Sequence, residues 1–131
     1  MSFTHTLTRA YRDTSGNSIT FAENVVNNTE NNFEDSFADS TTNGEIDWVQ
    51  VRSKLKSLCF SCDRAVTLKT NSTSAPDDTI TLVAGQAIVW SLASDLLARC
   101  PISADVTKIY ITNASGASCT FKIRALADTT P

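Results

Sequence analysis

The sequence has no run of apolar residues long enough to cross a bilayer. Its first twelve residues alternate in character and lack the apolar stretch of a signal peptide. We therefore expect synthesis in a cytoplasm and no membrane partner. In that compartment cysteines stay reduced, so we expect no disulfide among Cys59, Cys62, Cys100 and Cys119.

Basic residues are missing from the whole segment between Asp13 and Val51, which holds seven acidic side chains. Nine of the eleven Lys and Arg residues follow from Arg52 onward, and the net charge of the chain is −3. Phosphate binding depends on clustered Lys and Arg, so this charge distribution predicts no nucleic-acid partner. The acidic stretch indicates either a solvated face or a contact between neighbouring copies of the chain.

Glycine and proline are scarce, with 4 and 3 residues, whereas Ser and Thr are abundant. Because 41% of the 131 residues are hydrophobic, the chain can bury a core, and its length suits a single domain spanning 1–131. Thr, Val and Ile fit the pleated surface of a sheet. The composition therefore favours an all-β fold.

Alternating polar and apolar residues, separated by turn signals, predict short strands along the chain. They cover 2–12, 18–26, 33–38, 45–51, 58–62, 65–70, 79–83, 86–92, 108–113 and 118–126. Strands at this spacing are typical of a β-sandwich, and we predict one of jelly-roll type with about eight short strands. The predicted core consists of Leu58, Phe60, Val66, Leu68, Ile80, Leu82, Ile88, Trp90, Ile109, Ile111, Phe121 and Ile123.

Two segments stand apart from this regular pattern. Residues 1–12 are predicted to form an N-terminal strand or arm, with Phe3, His5, Leu7, Arg9 and Tyr11 on one face. Residues 27–44 are predicted to be a polar, flexible segment, with a loop over 39–44. A short helix is expected between 93 and 99.

The strongest motif for chemistry is the CxxC formed by Cys59 and Cys62, a spacing found in zinc and redox sites. Cys100 and Cys119 would complete a set of four zinc ligands. However, residues three apart on a strand point to opposite faces, and a redox motif requires a helix start. We therefore predict reduced, packed cysteines, no metal and no cofactor, and keep these four as the candidate ligands.

Other catalytic patterns are weaker. His5 is the single histidine, and no nucleophile stands in a GxSxG elbow. The paired carboxylates at 34–35 and 77–78 are chain neighbours, which diverge on a strand or belong to a turn. We predict no catalytic residue and no enzyme activity.

Four aromatic residues form the remaining candidate site, a platform for binding sugars or peptides. Trp90 is in phase with the predicted core, so Trp48 is the freer tryptophan. The candidate set is Trp48, Trp90, Tyr11 and Tyr110. This pattern keeps open a carbohydrate-binding adhesion module, with core packing as the competing interpretation.

Beyond these motifs, the chain carries the runs LKSLCFSCDRAVTLKTNS at 55–72, APDDTITLVAGQAIVW at 75–90, ADVTKIYITNASG at 104–116 and FKIRAL at 121–126. Residues 55–126 resemble the small jelly-roll capsid cement, or decoration, proteins of tailed bacteriophages. These runs encode turns and strands of a sandwich, so the resemblance carries over fold rather than any catalytic residue.

The resemblance implies a non-enzymatic virion structural protein that binds the outer capsid surface and stabilises the shell. Its expected partners are the major capsid protein and further copies of itself, as a dimer or trimer. Synthesis would take place in the host cytoplasm. The N-terminal strand or the 27–44 segment could add to the sheet edge of a neighbour. A tail, neck or fibre-associated component of the same particle is the alternative.

Overall fold

A computed structural model describes residues 2–130 of the chain. One short helix, α1, spans Leu92–Asp95, and single 3₁₀ turns cover Arg52–Lys54 and Leu97–Arg99. The remaining regular structure is β. The strands are β1 Phe3–Arg12, β2 Ser18–Asn27, β3 Thr29–Glu30, β4 Phe33–Phe37, β5 Thr41–Ile46, β6 Leu55–Cys62, β7 Val66–Thr70, β8 Thr79–Leu82, β9 Ala87–Ser91, β10 Ile109–Asn113 and β11 Cys119–Ala127.

Two antiparallel sheets form the body of the protein. The first has the order β5-β10-β7-β8, and the second has the order β3-β11-β6-β9, with β4 also paired to β11. Apolar side chains from both sheets meet in one cluster, as strand alternation requires when a single face of each sheet is buried. The prediction of an all-β sandwich is confirmed. Of the eleven strands within residues 2–130, nine belong to these two sheets.

The core consists largely of the residues predicted for it. Eleven of the twelve are buried, and Ile88 is half-buried against the cluster. The body also buries residues that the strand pattern did not select. These are Ile46, Trp48, Leu55, Cys62, Ile102, Val106, Cys119, Ala125, Leu126 and Ala127.

The third sheet is a hairpin of β1 and β2, paired over ten residues from Phe3–Asn27 to Arg12–Ser18. Its turn joins the strands predicted over 2–12 and 18–26. The Asp13 side chain accepts hydrogen bonds from the backbone N–H groups of Ser15 and Asn17, and Gly16 has φ +87°. Glycine adopts that conformation without strain. The predicted N-terminal strand at 1–12 is therefore present as β1 over 3–12.

The predicted strand over 45–51 is wrong in its position. The strand is β5, which begins at Thr41, inside the loop predicted over 39–44, and ends at Ile46. Gly44 pairs with Ile111 of β10, and a Cβ at Gly44 would meet the Thr41 methyl group at 2.8 Å. The sequence of β5 resembles that of a loop because β5 is an edge strand. Such a strand needs apolar residues on one face only, and its other residues can be polar.

The segment 27–44, predicted as polar and flexible, contains strands β3, β4 and most of β5. Both β3 and β4 pair with β11, so this segment supplies one edge of the second sheet. The helix expected between 93 and 99 is shorter than predicted, because α1 ends at Asp95 and Leu96 turns to φ +64°.

Candidate functional site

The β1–β2 hairpin lies across the outer face of the second sheet. Near its open end, the Nε2 atom of His5 lies 2.8 Å from a carboxylate oxygen of Glu30 in β3. Farther along β1, the Arg9 guanidinium donates to the backbone oxygen of Val89 in β9, at 3.2 Å. Because β3 and β9 are opposite edges of that sheet, the hairpin crosses all of its width.

An ion pair fixes the hairpin at the β9 edge. The Arg9 guanidinium donates two hydrogen bonds to the Asp95 carboxylate, one of them at 2.7 Å. On the neighbouring strand β2, the Glu23 carboxylate accepts hydrogen bonds from the hydroxyl groups of Ser91 and Ser94. Both strands of the hairpin are thus attached to the short segment from the end of β9 through α1.

This attachment depends on pH. The Arg9 hydrogen bonds hold the pKa of Asp95 below its ordinary value, and the backbone N–H of Ser91 adds to that effect. A lowered pKa contributes stability above about pH 4, and that stability is lost as the pH falls through the pKa of the folded state. Asp95→Asn should therefore lower the Tm at neutral pH, and the difference in Tm between the variant and wild type should become smaller below about pH 4.

Asp47→Asn is the control for that measurement, because the Asp47 side chain is 87% exposed. Its effect should stay within about 0.5 kcal/mol. A Tm gap for Asp95→Asn that is the same at pH 7 and at pH 3 would contradict the role assigned to the carboxylate.

Beyond Arg9 the hairpin leaves the body, and residues 10–22 are all exposed. Near the open end, one face of the hairpin packs on the second sheet. In residues 10–22 the same face is an exposed apolar surface. Tyr11 is opposite Ile19, and Phe21 is opposite Arg9, so these side chains share that face. Their exposed fractions are 73% for Tyr11, 74% for Ile19 and 47% for Phe21. We refer to Tyr11, Ile19 and Phe21 as the tip surface.

Two exposed leucines, Leu96 and Leu97, follow Asp95. Leu96 has φ +64°, a region that bulky residues rarely adopt. The indole N–H of Trp90 donates to the Leu96 carbonyl oxygen at 2.9 Å and holds the backbone in this conformation. The fold thus maintains a strained backbone at a point where a leucine side chain faces solvent.

A cleft of about 450 Å³ lies between β1 and the outer face of the second sheet. Five consecutive residues of β1, Thr4 to Thr8, line one wall. The other wall comes from the second sheet and consists of Ser57, Leu58, Cys59, Val89 and Arg124. This volume falls within the range of about 300–1,000 Å³ that is usual for ligand-binding clefts.

Ser57 stands out within the cleft. It is 2% exposed, and its hydroxyl has no hydrogen-bond partner among residues 2–130. Register places Ser57 opposite Ser91 on one side and Leu126 on the other, on the outer face of the second sheet. A buried hydroxyl without a partner destabilises a protein by about 1–3 kcal/mol, so Ser57 is an unsatisfied polar group buried in the wall of the cleft.

The four cysteines do not form one site. Cys59 is half-buried in the cleft, Cys100 is half-buried after α1, and Cys62 and Cys119 are buried in the core. As predicted for a strand, Cys59 and Cys62 face opposite sides of β6. Within residues 2–130, no three His, Cys, Asp or Glu side chains are grouped to hold a metal ion.

Burial makes these thiols poor nucleophiles. It raises the pKa of Cys59 and Cys100, and burial together with a hydrogen bond to Cys62 raises the pKa of Cys119 to about 11. Since the thiolate is the reactive form, iodoacetamide at neutral pH should modify Cys59 and Cys100 slowly and spare Cys62 and Cys119. In denaturant all four should react. Rapid native labelling of Cys119, detected by mass spectrometry, would contradict this assignment.

The other candidates from the sequence have structural partners. The carboxylate of Glu34 accepts a hydrogen bond from Arg124 at 2.8 Å, which lowers the pKa of Glu34. Asp77 accepts from the Asn71 amide at 2.6 Å, and Asp78 accepts from the Ser103 backbone N–H at 2.7 Å. These contacts join loops and strands of the body.

The aromatic platform predicted from the sequence is not assembled. Trp48 is 2% exposed and donates through Nε1 to the Asn31 carbonyl oxygen, so its assignment as the freer tryptophan is wrong. Trp90 is buried as well. Tyr11 lies at the hairpin tip, whereas Tyr110 lies on β10 of the first sheet. Trp48 is buried because the chain stays extended after β5, up to the bridge between Gln50 and Val106.

The sequence did not predict the cleft or its unpartnered serine. The alternation in β1 did place Tyr11 on the same face as Phe3 and Leu7. No family model, curated protein or solved structure matches the chain. No helix within residues 2–130 is long and apolar enough to span a membrane.

Proposed function

We propose that this chain is a non-enzymatic virion structural protein of a tailed bacteriophage, a capsid cement or decoration protein. It binds the outer capsid surface through the major capsid protein and stabilises the shell. The resemblance of residues 55–126 to such proteins supplies the class of particle, and the exposed tip surface supplies the means of attachment.

The tip surface is the observation that carries this proposal. Three large side chains, Tyr11, Ile19 and Phe21, lie on one face of a hairpin whose other end is attached to the body. Contiguous exposed apolar surface marks interaction sites on soluble proteins. Arg9 and Glu23 anchor the hairpin, so the tip surface is held out from a rigid sandwich, as attachment to a shell requires.

The order of the strands supports the jelly-roll part of the proposal. Strands β4, β6, β9 and β11 belong to one sheet, and β5, β7, β8 and β10 belong to the other. The chain therefore changes sheet at every step except from β7 to β8. Two four-stranded sheets linked in this way are what an eight-stranded jelly roll contains.

Copy number in the particle tests the proposal. Quantitative mass spectrometry of purified particles should give a ratio to the major capsid protein near one or a simple fraction of it. Self-association as a dimer or trimer would suit symmetric positions on a shell, where repeated weak contacts add up. A ratio of a few per cent would instead assign the chain to the neck, tail or fibres, and absence from particles would end the proposal.

Substitution at the tip tests the mode of attachment. Ile19→Ser and Phe21→Ser should each weaken binding to shells that lack the chain by at least about tenfold, because each removes buried apolar contact. Both residues are exposed in the free protein, so stability should change by no more than about 0.5 kcal/mol. Val83→Ser is the matched control, since Val83 is 62% exposed in the turn after β8. Equal binding by all three variants would contradict attachment through the tip.

A further inference from the structure

The β1–β2 hairpin is attached to the body by side chains alone. Its two strands pair with each other and with no strand of the two larger sheets. Within residues 2–130, no backbone–backbone hydrogen bond joins 3–27 to 29–130. A two-stranded hairpin is only marginally stable by itself in water. The hairpin therefore depends on its side-chain contacts with the second sheet to stay folded.

Little apolar surface is fully buried between the hairpin and that sheet. Of the ten residues of β1 and the ten of β2, Leu7 alone is buried. On the sheet, Leu126 lies opposite Ser57 and is buried outside the core cluster. The Ser57 hydroxyl has no partner, and the cleft of about 450 Å³ separates β1 from part of the sheet. Incomplete packing of this kind contributes little to holding the hairpin in place.

Carboxylates take part in nearly all polar contacts between the hairpin and the body. Five of the six hydrogen bonds between 3–27 and 29–130 involve one of three carboxylates. The sixth joins Arg9 to the Val89 carbonyl oxygen. The three are Glu30, which contacts His5, Asp95, which binds Arg9, and Glu23, which binds Ser91 and Ser94. Because protonation removes the charge of a carboxylate, all three contacts weaken in acid.

Cations lie next to each of these carboxylates. They are Arg9 and Arg99 near Asp95, Arg9 and Lys56 near Glu23, and His5 and Lys54 near Glu30. An adjacent cation favours the charged form of a carboxylate. The hydrogen bonds from Arg9 hold the pKa of Asp95 below its ordinary value, so this contact is lost only as the pH falls below about 4.

We propose that the hairpin is an acid-released arm, which undocks from the second sheet as one unit while the two sheets of the body stay folded. Protonation of Glu23, Glu30 and Asp95 removes the charges that hold it, and the pairing of β1 with β2 is lost once it leaves the sheet. The core cluster contains no hairpin residue, so the body keeps its packing.

The inference goes beyond the proposed function, because it concerns the free chain. The docked hairpin fixes the position of the tip surface, and undocking releases it. Loss of attachment through the tip in acid would follow, and that consequence alone rests on the proposed function.

The triple variant Glu23→Gln/Glu30→Gln/Asp95→Asn tests the inference at pH 7, because it imitates protonated carboxylates without exposing the body to acid. Hydrogen exchange of the full ¹⁵N-labelled chain is the measurement. Amides within β1 and β2 should exchange at least about tenfold faster than in wild type, since the hairpin opens more often. Amides of β7 and β10 should keep the protection that they have in wild type.

The matched control is Asp35→Asn/Glu45→Gln/Asp47→Asn. It removes the same number of charges at exposed carboxylates that make no hydrogen bond to the hairpin. Exchange in β1 and β2 should be the same in this control and in wild type. Faster exchange in both triple variants would show that net charge, rather than the three contacts, governs docking.

Cys59 provides a second readout, because its thiol lines the cleft beside β1. Iodoacetamide at pH 7 should modify Cys59 at least about tenfold faster in the Glu23/Glu30/Asp95 variant than in wild type. Undocking exposes the thiol and relieves the burial that raises its pKa. Cys62 and Cys119 lie in the core and should stay unmodified, which shows that the body remains folded.

Acid itself gives the third measurement. Exchange of wild-type amides is compared at pH 7 and about pH 2.5, below the ordinary pKa of a carboxylate, after correction for the intrinsic pH dependence of exchange. Protection in β1 and β2 should fall at least about tenfold relative to protection in β7 and β10.

Three results would overturn the inference. One is equal exchange in β1 and β2 for wild type and the Glu23/Glu30/Asp95 variant. Another is loss of protection in β7 and β10 together with the hairpin, because the hairpin would then not be a separate unit. The last is hairpin protection that acid leaves unchanged. None of these results bears on copy number in particles, so the proposed function keeps its own test.

Discussion

Phe60→Ala is expected to lower the free energy of unfolding by about 3–5 kcal/mol, the largest effect of any single substitution proposed for this protein. Phe60 is fully buried on β6, with its ring centroid 6.1 Å from those of both Trp48 and Phe121. Alanine would leave a cavity at the junction of these aromatic rings. Because natural domains are stable by about 5–15 kcal/mol, the variant should unfold at a markedly lower denaturant concentration.

Equilibrium unfolding in urea, followed by tryptophan fluorescence, measures this effect, since both tryptophans are buried. Val83→Ala is the control, because Val83 is exposed and its truncation should change stability by no more than about 0.5 kcal/mol. A loss below about 1 kcal/mol for Phe60→Ala would show that Phe60 is not at the centre of the core.

Asn113→Ala is expected to cost about 3 kcal/mol, because it removes five hydrogen bonds made by one fully buried side chain. Asn113 is fully buried at the end of β10. Its amide donates to the carbonyl oxygens of Phe37, Ala38 and Ala117, and its side-chain oxygen accepts from the N–H and the hydroxyl of Ser115. One side chain thus connects the β4–β5 turn to the β10–β11 turn.

The matched control is Asn24→Ala, at an exposed site where the Asn24 amide oxygen accepts a hydrogen bond from Thr6. Its effect should stay within about 0.5 kcal/mol. Asn113→Asp tests the donor role separately, because a carboxylate cannot donate to three carbonyl oxygens. If Asn113→Asp is as stable as wild type, the hydrogen bonds to the two turns do not stabilise the fold.

The two ends of the hairpin have different tasks. Near the open end, His5 and Leu7 lie against the second sheet and help form the cleft. From Arg9 to the turn, the same face carries the exposed side chains of the tip surface. A single alternating sequence thus covers a sheet at one end and presents apolar side chains to solvent at the other. The ion pair of Arg9 with Asp95 marks the boundary between these parts.

The sequence by itself determined the class of fold and most of the core. Alternation along β6, β7, β10 and β11 identified the inward side chains, because a strand turns every second residue toward the same face. The predicted strand ranges leave two-residue gaps at 63–64 and 84–85, and Gly85 in the second gap has φ +72°. The opposite orientation of Cys59 and Cys62 also followed from the sequence, since it depends on strand geometry alone.

Only the tertiary structure decided which of the alternating strand faces are buried by another element. Trp48 and Val49 alternate like any strand, but burial of Trp48 depends on Phe60 and on the Asn31 carbonyl oxygen, which are distant in sequence. Phe21 and Leu7 look equivalent in the sequence, yet Leu7 packs on the second sheet and Phe21 extends past it. The cleft and the unpartnered Ser57 arise where four strands distant in sequence, β1, β6, β9 and β11, meet. Alternation within one strand fixes a side chain's face, whereas the element that covers that face depends on long-range packing.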